Sequence, residues 1–160
     1  MPTALNANTL ARLLPGTWRI GATNFPMWMG GERLSPTFSY EVKSRTPLVL
    51  RDRVAWTTSA GADKKLLGID RWKGDEFVWR GRGVLSPFAS RWSVAGASED
   101  GSILVIRFSK SLATSAGLDV VIREDADAAH LRSTVAAASD TLGIGHEEFA
   151  SLTWLDLSAA

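Results

Sequence analysis

A chain of 160 residues with 45% hydrophobic side chains suits one domain with a sizeable core and excludes an intrinsically disordered chain. Eighteen basic against seventeen acidic residues leave a formal charge of +1, so no strong global field draws the protein to nucleic acid or to an anionic membrane. The absence of cysteine removes disulfides and thiolate metal sites, and no apolar run approaches the roughly 20 residues that span a bilayer.

In chain order, residues 1–14 lack the basic start and apolar stretch of a secretory signal, which sets the expectation of a cytoplasmic location. Leu10, Leu13 and Leu14 recur at helical spacing and Pro15-Gly16 breaks the pattern, so residues 1–15 read as a short cap helix. Residues 16–23 alternate as a strand, with Trp18, Ile20 and Ala22 on one face. The following run, 24–35, is too long and too apolar for a hairpin turn. Its cluster of Phe25, Met27, Trp28 and Met29 suits either a gate over a cavity or a plug folded into it.

Residues 37–43 then alternate cleanly, with Phe38, Tyr40 and Val42 facing in and Ser39, Glu41 and Lys43 facing water. Leu48, Leu50, Val54 and Trp56 carry the same parity through a third strand, in which Asp52 falls on the apolar side. Asp52 is either a polar anchor inside a cavity or a residue turned to water at a bulge, and the bulge is the favoured expectation. Residues 64–72 read as a strand with apolar residues on both faces, joined through the turn Lys73-Gly74-Asp75 to a strand over 76–81. A connection over 83–89 contains Pro87, residues 91–94 form a sixth strand, and Glu99-Asp100-Gly101 is a polar turn. Strands over 102–109 and 118–123 follow, separated by a small-residue loop at 113–117.

Beyond Arg123 the period changes. Ala128, Leu131, Val135, Ala138 and Leu142 recur at three- and four-residue intervals after the acidic start Glu124-Asp125, which predicts a helix. Gly143 and Gly145 interrupt it, and residues 147–154 suit either a second short helix or a closing strand. Reading 130–136 and 152–157 as strands instead would raise the strand count from eight to ten.

Eight short strands in meander order expose two sheet edges unless the sheet closes on itself. The expected architecture is therefore a mainly β, single-domain protein: a closed antiparallel meander barrel of eight strands over 16–123, with ten as the alternative count. A short N-terminal helix precedes the barrel and a C-terminal helical segment over 124–160 follows it. A barrel of this size either packs solid or holds one small ligand.

The arrangement resembles the lipocalins and the wider calycin superfamily. The first strand carries a Gly-x-Trp signature as Gly16-Thr17-Trp18 after a short helix, a large loop precedes the second strand, and a helix lies C-terminal to the barrel. Arg123 matches the arginine that in lipocalins packs across that tryptophan from the end of the last strand. The turn Glu99-Asp100-Gly101 departs from the Thr-Asp-Tyr element of many lipocalins, which makes the chain an outlier. The resemblance implies binding of a small apolar molecule. A second, partial likeness to nitrobindin-type haem barrels rests on Gly16-Thr17-Trp18 followed by Phe25-Pro26 and Pro36-Thr37, without the glycine-rich first strand of those proteins.

The candidate ligand contacts are Phe25, Trp28, Met29, Tyr40, Asp52, Trp56, Trp79, Trp92 and Arg107, with 24–35 as the gate. Each has a plainer reading. The aromatic residues can be simple core, Arg107 shares the ambiguity of Asp52, and Arg80 and Arg82 suit a solvated face. Gly16, Trp18 and Arg123 are expected to be structural. No nucleophile elbow or paired-histidine metal spacing is present, so no catalytic or metal residue is assigned. Two other readings stay open. One is a cyclase- or isomerase-type barrel enzyme using Asp52 or Tyr40 as a general acid; the other is haem binding through His130 or His146.

Overall fold

The computed structural model describes residues 5–83, 89–110 and 116–157. The expected connection through Pro87 and most of the loop at 113–117 lie outside them. Helix α1 (Ala7–Leu13) is capped by the Asn6 carboxamide, which accepts from the Thr9 amide at 2.9 Å, and it buries Leu10 against the barrel floor. Eight strands then run in sequence: β1 (Gly16–Thr23), β2 (Arg33–Arg45), β3 (Leu48–Thr58), β4 (Asp63–Trp72), β5 (Phe77–Gly81), β6 (Ala89–Ala97), β7 (Ile103–Phe108) and β8 (Gly117–Arg123). Each pairs antiparallel with its neighbour in the chain, and β1 pairs with both β8 and β2, so the meander closes into an eight-stranded barrel.

The segment expected to be loop over 24–35 is only partly so. It contains a one-turn helix, α2 (Pro26–Met29), and β2 begins at Arg33, four residues earlier than the alternation at 37–43 indicated. The C-terminal segment breaks into α3 (Leu131–Ala137), α4 (Ser139–Leu142) and α5 (His146–Ser151), followed by a two-residue strand, β9 (Thr153–Trp154). Residues 147–154 thus contain both a helix and a closing strand. The ten-strand alternative is corrected, because 130–136 is mostly helical and only β9 adds to the eight. No helix among the described residues is long and apolar enough to cross a membrane.

Two apolar cores lie on opposite faces of the barrel wall. The inner one joins Leu10, Trp18, Ile20, Phe38, Tyr40, Leu50, Phe77, Trp92, Ile106 and Val121. The outer one packs Val105, Leu118, Val120 and Ile122 against Leu131, Val135 and Leu142 of the C-terminal helices. Ala22, expected beside Trp18 and Ile20, belongs to the outer core. A shift of register between Ile20 and Ala22 explains the difference: Gly21 is the extra residue of a bulge, which reverses the parity of the strand beyond it. A side chain at Gly21 would strike Leu131, since a Cβ there falls 2.3 Å from its Cδ2.

The closed end of the barrel is tied at Trp18. Trp18 is fully buried, its indole N–H donates to the Leu14 carbonyl at 3.0 Å, and Arg123 lies opposite it in the β1–β8 register. The Arg123 guanidinium stacks 3.9 Å from the indole centre and donates to the carbonyls of Pro15, at 2.6 Å, and Leu13. One cation thus covers the indole face and satisfies carbonyls at the end of α1. Gly16 makes room for it. Its φ of +119° is costly for any other residue, and a Cβ there would sit 2.6 Å from Arg123 Nη1.

Candidate functional site

Inward-facing residues form successive steps around the upper barrel. Tyr40 on β2 is opposite Asp52 on β3, which is opposite Gly68 on β4; Asp70 on β4 is opposite Trp79 on β5, which is opposite Ser90 on β6. On the far side Trp92 pairs with Phe108, and Asp119 on β8 lies between Ile106 and Thr23. The interior is not filled. A cavity of about 350 Å³ lies under α2, walled by Phe25, Trp28, Phe38, Tyr40, Trp79, Trp92 and Phe108 and entered by the side chains of Asp52, Ser90 and Asp119.

Aromatic packing makes the walls rigid. Trp92 is stacked between Phe77, at 4.5 Å between ring centres, and Tyr40, at 5.4 Å. Phe25 meets Phe108 edge-on at 5.1 Å and lies over Gly117, where a Cβ would fall within 2.5 Å of its ring. Trp79 similarly packs over Gly68, with its indole nitrogen 2.1 Å from where a Cβ would be. Two glycines therefore leave the space that two wall residues occupy.

Above the cavity, α2 is held at both ends. Asn24 accepts from the Leu118 amide at 2.7 Å and its own amide donates to the Leu118 carbonyl at 3.2 Å, fixing the start of the segment to β8. Beyond α2, Arg33 reaches back to the Met27 carbonyl at 3.4 Å and covers the Trp56 ring at 5.5 Å. Trp56 in turn meets Trp28 edge-on at 5.9 Å.

Three carboxyls are buried in this interior. Asp52 is 6% exposed, Asp119 1% and Asp70 not at all. Burial raises Asp52 to about 6, with its hydrogen bond to Asp70 working the other way. Asp70 is pushed well above the carboxylate range by burial and by the charge of Asp52, and the Trp92 indole N–H, donating at 2.9 Å, opposes this. Asp52 Oδ1 and Asp70 Oδ2 receive no other donor, so one proton held between the two carboxyls would serve both.

Asp119 is raised to about 7 by burial, against a lowering influence of the neighbouring Thr23 hydroxyl, and neither of its oxygens receives a hydrogen bond of ordinary geometry. The Tyr40 hydroxyl is raised well above its usual value by burial and by the charges of Asp52, Asp70 and Asp119. Ser90 Oγ and Trp79 Nε1 are likewise buried without a partner.

The structure thus gathers Phe25, Trp28, Tyr40, Asp52, Trp79 and Trp92 around one cavity. It corrects four expectations. Asp52 does not turn to water at a bulge, because the β2–β3 register is regular from Thr37 to Val42 and points it inward. Arg107 faces outward, where it pairs with Glu148 and donates to the Gly143 carbonyl at 3.0 Å. Met29 is 42% exposed and Met27 takes the lining position instead, while Trp56 backs Trp28 without lining the cavity.

Asp70, Ser90, Phe108 and Asp119 were not singled out from the sequence. Asp119 had a signal: it is the one acidic residue inside an otherwise apolar strand, Leu118-Asp119-Val120-Val121-Ile122. His130 and His146 begin α3 and α5 outside the barrel. Among the described residues no group of three or more His, Cys, Asp or Glu side chains is placed to hold a metal ion. A larger, shallower groove of about 950 Å³ lies outside, between β1, α3 and the chain around Trp154 and Leu157. It does not include the buried carboxyls.

No protein-family model matches the sequence, and no curated protein sequence matches it significantly. Solved structures do match. Lobster apocrustacyanin A1 superposes with a TM-score of 0.62 at 10% identity, over 96% of this chain and 88% of its own. The siderocalin Ex-FABP gives 0.60 at 13% identity over 92% and 97%, and the bovine lipocalin allergen Bos d 2 gives 0.55 at 15% over 90% and 93%. The fold is that of the lipocalins. Within a lipocalin-type barrel, the Trp18–Arg123 contact lies at the closed end and the aromatic cavity at the other, beneath the segment between β1 and β2.

Proposed function

We propose that this protein binds a small, largely apolar molecule in the cavity beneath α2, and that the segment 24–35 gates it. The observation that carries this reading is the unfilled, aromatic-walled interior: a barrel whose interior served only as core would have closed a space of this size with side chains. The gate is supported by the placement of Trp28. Its segment is pinned at Asn24 and passes through Gly30 and Gly31 before β2 begins, which gives it a pivot at one end and backbone freedom at the other. The resemblance to lipocalins adds to the reading, since such barrels are expected to carry ligands. A cytoplasmic location remains part of the proposal.

The test is a thermal scan of wild type and Trp28→Ala against a panel of apolar and amphipathic compounds, with limited proteolysis at the exposed stretch 30–32. A ligand of the folded state raises the melting temperature by mass action and protects that stretch more than the turn at Gly74, and Trp28→Ala weakens the shift while the barrel stays folded. No shift with any compound, together with an earlier melt of Trp28→Ala, would show that Trp28 is a plug.

A further inference from the structure

We propose that the cavity is built for a molecule carrying a protonated amine, with its ammonium group seated against Asp119 and its apolar body among Trp28, Trp79 and Trp92. This rests on the reading that the barrel binds a small molecule, and it goes further by assigning that molecule's charge. The charge balance of the lining is the first argument. Asp52 and Asp119 enter the cavity, Asp70 is hydrogen-bonded to Asp52, and none of the described lining residues is Lys, Arg or His. An anionic ligand would meet carboxyls with no cation to offset them, and a neutral hydrocarbon would leave Asp119 unsatisfied in a dry site.

The second argument is that Asp119 lacks what buried carboxylates ordinarily have. It is 1% exposed, the facing residues on its two neighbouring strands are Ile106 and Thr23, and with the Thr23 hydroxyl alongside neither oxygen receives a hydrogen bond of ordinary geometry. Asp52 and Asp70 can share a proton with each other, whereas Asp119 has the Thr23 hydroxyl rather than a second carboxyl beside it. A donor supplied from the cavity would complete it, and an ammonium group brings both the donor and the charge. The walls fit the same group, because the Trp28 and Trp79 rings line the cavity and an aromatic face attracts a cation once water is excluded. Ser90 Oγ, which lines the cavity without a partner, offers a place for one further polar substituent. A volume of about 350 Å³, equal to roughly a dozen waters, admits one aromatic ring with a short amine arm.

The experiment is isothermal titration of the wild type with 2-phenylethylamine, 2-phenylethanol and phenylacetate, three ligands of one shape and different charge, alongside the neutral fluorophore N-phenyl-1-naphthylamine. The amine is expected to bind about tenfold or more tightly than the alcohol, with phenylacetate weakest, and Asp119→Asn should abolish the amine's advantage over the alcohol measured on the same variant. If the fluorophore binds but amine and alcohol are equal, or if Asp119→Asn leaves the amine unchanged, the ammonium assignment is overturned and the binding reading stands. If none of the four binds, both fall. The comparison within the wild type needs no variant, so it decides the matter even if Asp119→Asn does not fold.

Discussion

Replacing Asp119 by asparagine should make the empty protein less sensitive to pH. In the fold Asp119 holds its proton up to about pH 7, against 3.8 for an ordinary aspartate, because burial disfavours its charge. The folded state therefore binds a proton that the unfolded state gives up, and stability from this group is fully present below about pH 4, is lost as pH rises through 7, and is flat above. The whole span corresponds to about 4 kcal/mol, of which about 2–3 kcal/mol falls between pH 5 and pH 8. Asp52 adds a slope of the same sign up to about 6, and Asp100, held below its usual range by hydrogen bonds from Ser102 and Ser98, acts only at lower pH. The difference between wild type and Asp119→Asn isolates Asp119. Urea unfolding at pH 5 and pH 8 should show the wild type losing more stability across that interval than the variant, by about 2–3 kcal/mol. Equal slopes, or a wild type that gains stability toward pH 8, would refute the argument that this carboxyl is buried without a partner.

Three other substitutions probe the architecture. Trp18→Ala should cost about 3–5 kcal/mol in urea unfolding, since it removes a fully buried indole and leaves Arg123 without the surface it covers; a loss below about 1 kcal/mol would contradict that packing. Gly117→Ala should displace the Phe25 ring and weaken binding of N-phenyl-1-naphthylamine, measured by fluorescence titration, more than it lowers the melting temperature. Arg107→Ala should change stability by less than about 1 kcal/mol and leave ligand binding unaltered, because the ion pair with Glu148 is partly exposed and lies outside the barrel; weakened binding would return Arg107 to the site.

The eight barrel strands and their order were legible because each presents a run of alternating or wholly apolar residues bounded by turn residues. The Trp18–Arg123 contact was legible through the resemblance to lipocalins, in which an arginine at the end of the last strand packs across that tryptophan, and closure, which obliges the first and last strands to meet, agrees with it. Alternation misled where the backbone departed from it. The bulge at Gly21 sends Ala22 outward, and a glycine in an apolar strand is a weak sign of such a shift. Asp52 was misjudged in the opposite way, since its position on the apolar side of β3 was correct and a bulge was invoked to avoid burying it. The partner that makes its burial tolerable, Asp70, comes from the next strand, and Trp92, which donates to Asp70, from further round the barrel. Local pattern carries no information about such pairings. Met27 rather than Met29 lines the cavity because a single helical turn, shorter than any periodicity can register, decides which of them faces it.

The pairing of β1 changes half-way along its length. Its first residues, Gly16 to Arg19, are hydrogen-bonded to β2, whereas beyond the bulge Ala22 and Thr23 pair with β9. A continuous ring of ladder bonds resists widening as a hoop does, because any increase in girth must break a bond in that layer. Around the base the hoop is complete; at the mouth it is a split collar, with β2 above Thr37 bonded on one side to β3 and facing no strand on the other. On the proposed gating, α2 and the stretch that follows it would swing at this split, where β2 has no ladder bond to β1. A ligand of the proposed kind would then meet a width set by the split rather than by the number of strands.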